Sequence, residues 1–386
     1  MWVATKLGLT SFGGPIAHLG YFHEEYVRRR KWLDEHGYAD LVALCQFAPG
    51  PTSSKVGFSI GLLRAGYLGG LAAWAGFTLP SALLLLLFAY GAGALRGTVG
   101  QGVLHGLKLV AVAIVAQAVW GMAKSLCPDR ERASIAGVGA LIVLLSASAF
   151  SQLAAILVGA LAGAWLCRHT GAIRAEHAPI KVSRRVGVAS LTAFFGLLLG
   201  LPLLRGITGS QAIAMMEAFY RSGALVFGGG HVVLPLLQGA VVAPGWVSDD
   251  AFLTGYGAAQ AVPGPLFTFA AYLGAVMGPP PNGVAGAALG LVSIFLPGLL
   301  LHLGTLPFWE SFRRRAGTQA VMRGINAAVV GLLAAALYSP IWTSAVRRPQ
   351  DFAVALVGFI LLVGWKAPPV VVVAVSALGG GLTALF

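Results

Sequence analysis

Pro-Gly-Pro occurs twice within long apolar sequence, in Gln46-Phe47-Ala48-Pro49-Gly50-Pro51 and in Gln260-Ala261-Val262-Pro263-Gly264-Pro265. Proline lacks an N–H and clashes with the preceding turn, so no helix runs through either triplet. The flanking segments, Tyr38–Ala48 with Thr52–Leu63 and Phe252–Val262 with Leu266–Met277, are each too short to cross about 30 Å of hydrocarbon. Each triplet is therefore expected at the tip of a helical hairpin that enters a membrane and returns. Irregular backbone at that depth survives only where it lines a cavity or is buried in protein. The two tips are expected to meet near the midplane from opposite sides.

A bilayer is the solvent because the chain is 57% hydrophobic and only 10% charged, against about 25% charge in a soluble domain. Apolar runs recur at Tyr67–Tyr90, Val103–Met122, Ala133–Ala149, Gln152–Cys167, Val186–Leu204, Val284–Leu306, Gln319–Tyr338, Phe352–Trp365 and Pro368–Phe386. The fold class expected is an all-α polytopic membrane protein. The period-two alternation of a membrane β-barrel is absent. The net charge of +13 is spread over short loops, as loop charge bias and anionic lipid contact require, and this argues against nucleic acid as a partner. Cys45, Cys127 and Cys167 have neither metal spacing nor an even framework and read as small core residues. No cleavable signal is visible; Met1 opens directly on helix-like sequence, so the natural chain is expected to begin a few residues earlier.

The two halves align at an offset that drifts by only a few residues: Phe12 with Phe227, Trp32 with Trp246, Pro49 with Pro263, Leu79-Pro80 with Leu296-Pro297, Gly106 with Gly324. The expected organisation is an N-terminal repeat over 1–167, a basic cytoplasmic linker with an orientation-reversing helix over 168–204, and a C-terminal repeat over 205–386. Val186–Leu204 has no partner in the first half, and one extra span turns the second copy over, giving an inverted repeat. Arg28-Arg29-Arg30-Lys31 and Arg313-Arg314-Arg315 read as cytoplasmic, whereas Ala243-Pro244-Gly245 is uncharged. One pair of loops disagrees. Lys124, Arg130 and Arg132 read as inside, which puts the matching Arg347-Arg348 outside.

The first tip is followed by Thr52-Ser53-Ser54-Lys55, the second by Leu266-Phe267-Thr268-Phe269. A helix start offers free N–H donors and partial positive charge to an oxyanion. Pro51 suits the first helical position, and serine and threonine suit the cap. Gly50, Ser53, Ser54 and Lys55 are thus candidate anion-binding residues, with Gly264 at the weaker second tip; an ordinary cap with Lys55 reaching to the interface is the alternative. Lys6 and Arg221 precede Phe12-Gly13-Gly14 and Phe227-Gly228-Gly229 at the same distance. Such intramembrane cations either face a cavity or form ion pairs, and Glu217 is placed to pair with Arg221. Arg64 is a cargo contact or a helix-end charge. Gly13, Gly14, Gly228 and Gly229 permit close backbone approach or serve helix packing. His18, Glu24, His231 and Glu217 are proton-coupling candidates, because histidine titrates near neutrality; interfacial polar residues along Tyr21–Leu33 are the alternative for His18, His23, Glu24 and Glu25. Asp40 is expected to pair with Arg28 or Arg29, and Gly57 with Gly61 marks a close helix contact. No metal site, cofactor, phosphate-binding loop or catalytic dyad is visible, so an enzyme is not expected and the energy source is an ion gradient or the membrane potential.

Ser11-Phe12-Gly13-Gly14-Pro15 with Ala17-His18-Leu19-Gly20-Tyr21-Phe22 resembles the opening motif of the chromate ion transporter family. The runs Tyr38–Pro51, Gly61–Gly66, Phe77–Ser81, Phe227–Pro235 and Gly255–Leu273 extend the likeness over nearly the whole chain, in the long two-domain form. The resemblance implies export of chromate from the bacterial cytoplasm across the inner membrane, driven by the proton-motive force, with sulfate as the look-alike anion. At the position of Lys55 the family commonly carries glutamine, so an extra cation there bears on anion preference. Outward movement of a dianion gains about 4.6 kcal/mol at 100 mV, which suits export. A passive oxyanion channel and a sulfate or other oxyanion transporter remain alternative readings. A homodimer is compatible with the sequence, which fixes no oligomeric state.

Overall fold

Helix breaks, rather than helix lengths, set the architecture. The computed structural model describes residues 1–12, 14–47, 49–92, 97–146, 151–168, 182–227, 230–309 and 316–385, with the side chains of all of these but 16, 36, 39, 40, 43, 47 and 316. Every regular element among them is helical. In the first half these are α1 (Trp2–Thr10), α2 (Gly14–Phe22), a π-helical turn (His23–Arg29), α3 (Glu35–Phe47), α4 (Thr52–Gly91), α5 (Thr98–Leu126), α6 (Arg130–Leu145) and α7 (Ser151–Leu166). Then follow α8 (Arg184–Thr208), α9 (Gln211–Ala224), α10 (Val233–Leu237), α11 (Asp249–Ala261), α12 (Phe269–Val276), α13 (Gly283–Thr305), α14 (Ala316–Ala336), α15 (Pro349–Val363) and α16 (Pro369–Thr383). Five segments are long and apolar enough to span a bilayer: Thr52–Gly91, Thr98–Leu126, Arg184–Thr208, Gly283–Phe308 and Gly317–Ala345. The expected all-helical membrane fold is what the chain adopts.

Both expected hairpins are present. At the first tip α3 ends and α4 begins across Pro49-Gly50-Pro51, with Gly50 at φ +99°. At the second, α11 gives way through Pro263-Gly264-Pro265 to a short turn (Leu266–Thr268) and α12, with Gly264 at φ +105°. Only glycine adopts that region without strain. The return arms are sharply bounded. α4 is interrupted at Ala65 and Gly66 (φ +64°), so residues 52–64 fold back on 67–91. A Cβ on Gly61 would lie 2.3 Å from the Gly69 carbonyl oxygen, and one on Gly69 would lie 2.4 Å from that of Gly61. The expected Gly57–Gly61 contact is divided: Gly61 meets Gly69, while Gly57 faces the Phe22 ring. In the second half Gly274 and Gly286 meet in the same way, and a Cβ on either would lie 2.1 Å from the other's carbonyl oxygen.

The two halves reach into one another. Gly50 N–H donates to the Val226 carbonyl (2.8 Å), and Gly264 N–H donates to the Ser11 carbonyl (2.9 Å). Each tip also rests on the Leu-Pro helix of the opposite half. A Cβ on Gly50 would meet Gly298 Cα at 2.9 Å, and one on Gly264 would meet Ser81 Oγ at 2.8 Å. The outer helices cross over likewise: α5 packs on α15 and α16, and α14 packs on α6 and α7. Backbones touch at both crossings, Gly106 against Ser376 and Gly324 against Gly159 and Gly163. α8 lies on α9 and α13, held by Tyr220 OH donating to the Phe194 carbonyl (3.0 Å), and its outer face is lined by exposed apolar side chains such as Phe195, Leu199 and Leu203.

Candidate functional site

The first turn of α4 is uncapped. Sequence reasoning puts Pro51 inside the helix with a serine or threonine cap. Pro51 is instead the N-cap residue itself (φ −69°, ψ 105°), and no side chain caps the turn. Its carbonyl already accepts from Lys55 N–H at 3.0 Å. The hydroxyls therefore fall within the first turn, where they cannot reach back to its leading N–H groups.

Those hydroxyls are buried, together with the ammonium that follows. Ser53, Ser54 and Lys55 are 2%, 1% and 0% exposed. Lys55 Nζ donates to the Pro49 carbonyl at the tip (3.1 Å). His18 Nδ1 lies 3.2 Å from Ser53 Oγ, and its ring stands edge-on to Phe77 (5.4 Å). Farther along the arm, Ser59 Oγ is 2.6 Å from His302 Nε2 of α13. Ser11, Thr78 and Ser81 are buried beside this group, Ser11 and Ser81 through their contacts with Gly264. Five buried polar atoms here have no hydrogen-bond partner in the protein: Ser11 Oγ, His18 Nε2, Ser54 Oγ, Thr78 Oγ1 and His302 Nδ1. Unpaired buried polar atoms cost about 1–3 kcal/mol each, and these five lie on the elements that meet around the first tip.

The second tip is less polar, keeping a hydroxyl in Thr268 at the place of Ser54. Positions matching Ser11, Ser53, Lys55, Thr78 and Ser81 are Val226, Phe267, Phe269, Phe295 and Gly298. Phe267 packs on Phe295 (5.6 Å) and Phe269 on Tyr256 (5.8 Å). Thr268 Oγ1 donates to the Pro265 carbonyl (2.8 Å). His231, near the equivalent of His18, is 2.8 Å from Tyr256 OH.

The other candidates stand elsewhere. Lys6 pairs with Glu25 (3.2 Å), which also receives Arg30 (2.8 Å). Glu24 pairs with Arg29 (3.2 Å) and Arg28 (3.8 Å), and His23 with Glu35 (2.6 Å). The grouping of His18 with His23, Glu24 and Glu25 is thus divided, because His18 turns into the core while the others remain in ion pairs along the π-helical turn and the start of α3. Arg221 pairs with Glu217 (2.6 Å), as the i,i+4 spacing predicts, and Arg205 joins them (3.2 Å). Arg64 is exposed and stacks on Trp32 (4.9 Å). Gly14 takes φ +80° with open space around it. Gly13, Gly228 and Gly229, and the Asp40 side chain, lie outside the described residues. Sequence reasoning missed His302, Ser11, Ser59, Thr78 and Ser81. A lone histidine in Leu299-Leu300-Leu301-His302-Leu303 is a polar residue at membrane depth and was itself a signal.

A separate cleft of 340 Å³ opens between α5, α15 and α16, lined by residues including His105, Arg347, Arg348 and Asp351. Among the described residues no three His, Cys, Asp or Glu side chains gather as a metal would need. Among the described residues, the first tip gathers buried hydroxyls and the Lys55 ammonium.

The family model described as Chromate transporter matches residues 1–164 and 213–381. The chain is 28% identical over 387 residues to the probable chromate transport protein of Synechococcus elongatus, covering 97% of this chain and 92% of that one. It is 28% identical over 388 residues to the chromate transport protein of Pseudomonas aeruginosa, covering 97% and 89%. An uncharacterized transporter of Methanocaldococcus jannaschii is 25% identical over 380 residues, covering 97% and 87%. No solved structure matches.

Proposed function

The chain belongs to the chromate transporter family, and from that premise we propose that it exports chromate, with sulfate as a competing look-alike, across the cytoplasmic membrane by alternating access driven by the proton-motive force. As a member of that family it is a multi-pass membrane transporter and not an enzyme. The observation that carries the reading is the inequality of the two tips. One holds Lys55 with buried, partly unpaired hydroxyls, the other has Phe267 and Phe269 at the places of Ser53 and Lys55 and keeps a hydroxyl in Thr268. The cargo is held at the first tip by Ser53, Ser54, Lys55 and the free amides behind Gly50, and His18 is a coupling residue beside it. The second tip, at Gly264, closes the site from the opposite half.

The repeats run over 1–167 and 205–386, inverted by the intervening 168–204. Several contacts favour this orientation. Arg323 donates to the Cys167 carbonyl (3.2 Å), and Gly187 meets Pro307, so the end of α7 and the start of α8 lie beside α14 and the end of α13 on one rim. On the other rim Arg347 lies 3.9 Å from Asp250, which also takes Lys108 at 2.6 Å. The two arginines that break the loop-charge rule thus sit beside acids. Outward movement of a dianion gains about 4.6 kcal/mol at 100 mV, an accumulation ratio on the order of 10³, and inward proton movement adds to it.

The test is chromate uptake into inverted membrane vesicles. Uptake is expected to require a proton gradient or potential and to be inhibited by sulfate. Uptake that persists after both are collapsed refutes the coupling.

A further inference from the structure

Arg347 and Arg348 break the loop-charge rule, and both line the 340 Å³ cleft between α5, α15 and α16. A space of that size falls within the range of about 300–1,000 Å³ of small-molecule sites. Its polar lining is rich in donors: the two guanidinium groups, Gln101, Gln350 and, at the start of α5, Thr98. No side chain caps that start, so first-turn N–H groups lie at the same edge.

One carboxylate, Asp351, also lines the cleft, but both of its oxygens are engaged. Oδ2 accepts from Arg347 N–H and Arg348 N–H (2.9 Å each), and Oδ1 accepts from His105 Nε2 (2.9 Å). Asp351 thus fixes the backbone of both arginines and ties α15 to α5, and its one ion-pair partner among the described residues is His105. A second acid, Asp250, is bound by Lys108 at 2.6 Å and stands 3.9 Å from Arg347. Arg348 is in no ion pair among the described residues. Three cations therefore meet two acids here, and two adjacent, exposed guanidinium groups are left in front of the cleft. Guanidinium forks match the oxygens of a phosphate group.

The surround is apolar. Phe352 and Leu356 on α15, and Leu378 and Leu382 on α16, are exposed beside the cleft. Helix backbones close its floor, Gly102 against Gly380 and Gly106 against Ser376, so a polar group enters while an attached chain stays on the outer faces of the helices. We propose that this cleft binds an anionic phosphate group, supplied by the headgroup of a phospholipid whose chains lie against α15 and α16. The site is separate from the first tip and from the cargo. A lipid seated there bridges α5 of the first half to α15 and α16 of the second, and a ligand that binds only the folded chain stabilises it.

The test is the melting temperature of the purified full chain, delipidated in a neutral detergent, as ligand is added. Phosphatidylglycerol is expected to raise it by roughly 2–5 °C, and phosphatidylcholine of the same chain length by much less. Arg348→Gln is expected to need about tenfold more phosphatidylglycerol for the half-maximal rise, the worth of a charge-assisted hydrogen bond. Arg347→Gln with Arg348→Gln is expected to abolish the response. Lys124→Gln with Arg130→Gln removes the same charge from a loop outside the cleft and is expected to respond like the wild type. Should the double cleft variant not fold, Arg348→Gln alone decides, because it breaks no ion pair among the described residues. Inorganic phosphate is the second arm: a rise with phosphate but not with phosphatidylglycerol, lost in the cleft variants, keeps the cleft as the site and overturns the lipid as its source. A response unchanged in the cleft variants, or weakened equally in Lys124→Gln with Arg130→Gln, overturns the proposal, as do equal responses to the two lipids or no response to any of the three ligands.

Discussion

Lys55 owes its position to the break before it. With Pro51 as the N-cap residue, the ammonium lies one turn into the arm and bends back to the Pro49 carbonyl. Replacing it with methionine keeps the volume and removes the charge. Sulfate affinity is expected to fall roughly 10- to 100-fold, the worth of a charge-assisted hydrogen bond, while the detergent-solubilised protein stays folded. Calorimetry with the Lys55→Met protein checks this, and unchanged affinity would remove the ammonium from the site. Glu25 has a different role. Its carboxyl is held below the usual range chiefly by the Arg30 hydrogen bond and also by Lys6, against the opposing effect of burial. A depressed carboxyl stabilises the fold above its ordinary range, and that contribution is lost as pH falls through the depressed value. The melting temperature in detergent is therefore expected to be insensitive to this group from pH 7 to 5 and to drop below about pH 4. Glu25→Gln is expected to lower the melting temperature at pH 7 and to blunt the acid drop. An equally steep drop in the variant would assign it to other groups.

At the scale of elements, the hairpins depend on glycine pairs more than on the Pro-Gly-Pro triplets alone. Gly61 with Gly69, and Gly274 with Gly286, bring helix backbones into contact directly after each return arm. Valine at Gly61 or Gly274 places carbon within 2.4 Å of a backbone oxygen on the facing helix, which no side-chain rearrangement relieves. Both variants are expected to lose several kcal/mol or fail to fold, read as loss of a monodisperse peak in detergent. Alanine at Gly196, which has open space around it, is expected to be silent. Much of this level was legible in the sequence. Proline chemistry located both tips, and the limits of the return arms followed from the apolar lengths. The glycine crossings were not legible, because Gly61–Gly69 and Gly274–Gly286 acquire meaning only when the arm folds back. The cap was misread for a related reason: which residue begins a helix is decided by backbone direction, and the proline identity alone leaves two neighbouring positions open. His302 and Ser11 were hidden by distance, since each joins the site from an element far along the chain.

Across the whole molecule, the sequence halves are not two bodies laid side by side. α5 rests on α15 and α16, α14 rests on α6 and α7, and each tip is bonded to the opposite half. The orientation proposed above predicts that single cysteines at Arg130 and Arg348, in a background lacking Cys45, Cys127 and Cys167, react with an impermeant maleimide from opposite sides of the membrane. Arg130→Cys is expected to label only in inverted vesicles and Arg348→Cys only in intact cells; labelling of both from one side would refute the inverted arrangement. The crossing of the outer helices also bears on how such a chain could arise. A peptide ending after α7 would leave α5 without its bed on α15 and α16, and the cradle of α6 and α7 would stay empty of α14. An ancestral gene of half this length would have had to make a product that found its twin in the lipid before it could move anything, and joining the two reading frames made permanent a partnership that had already been compulsory.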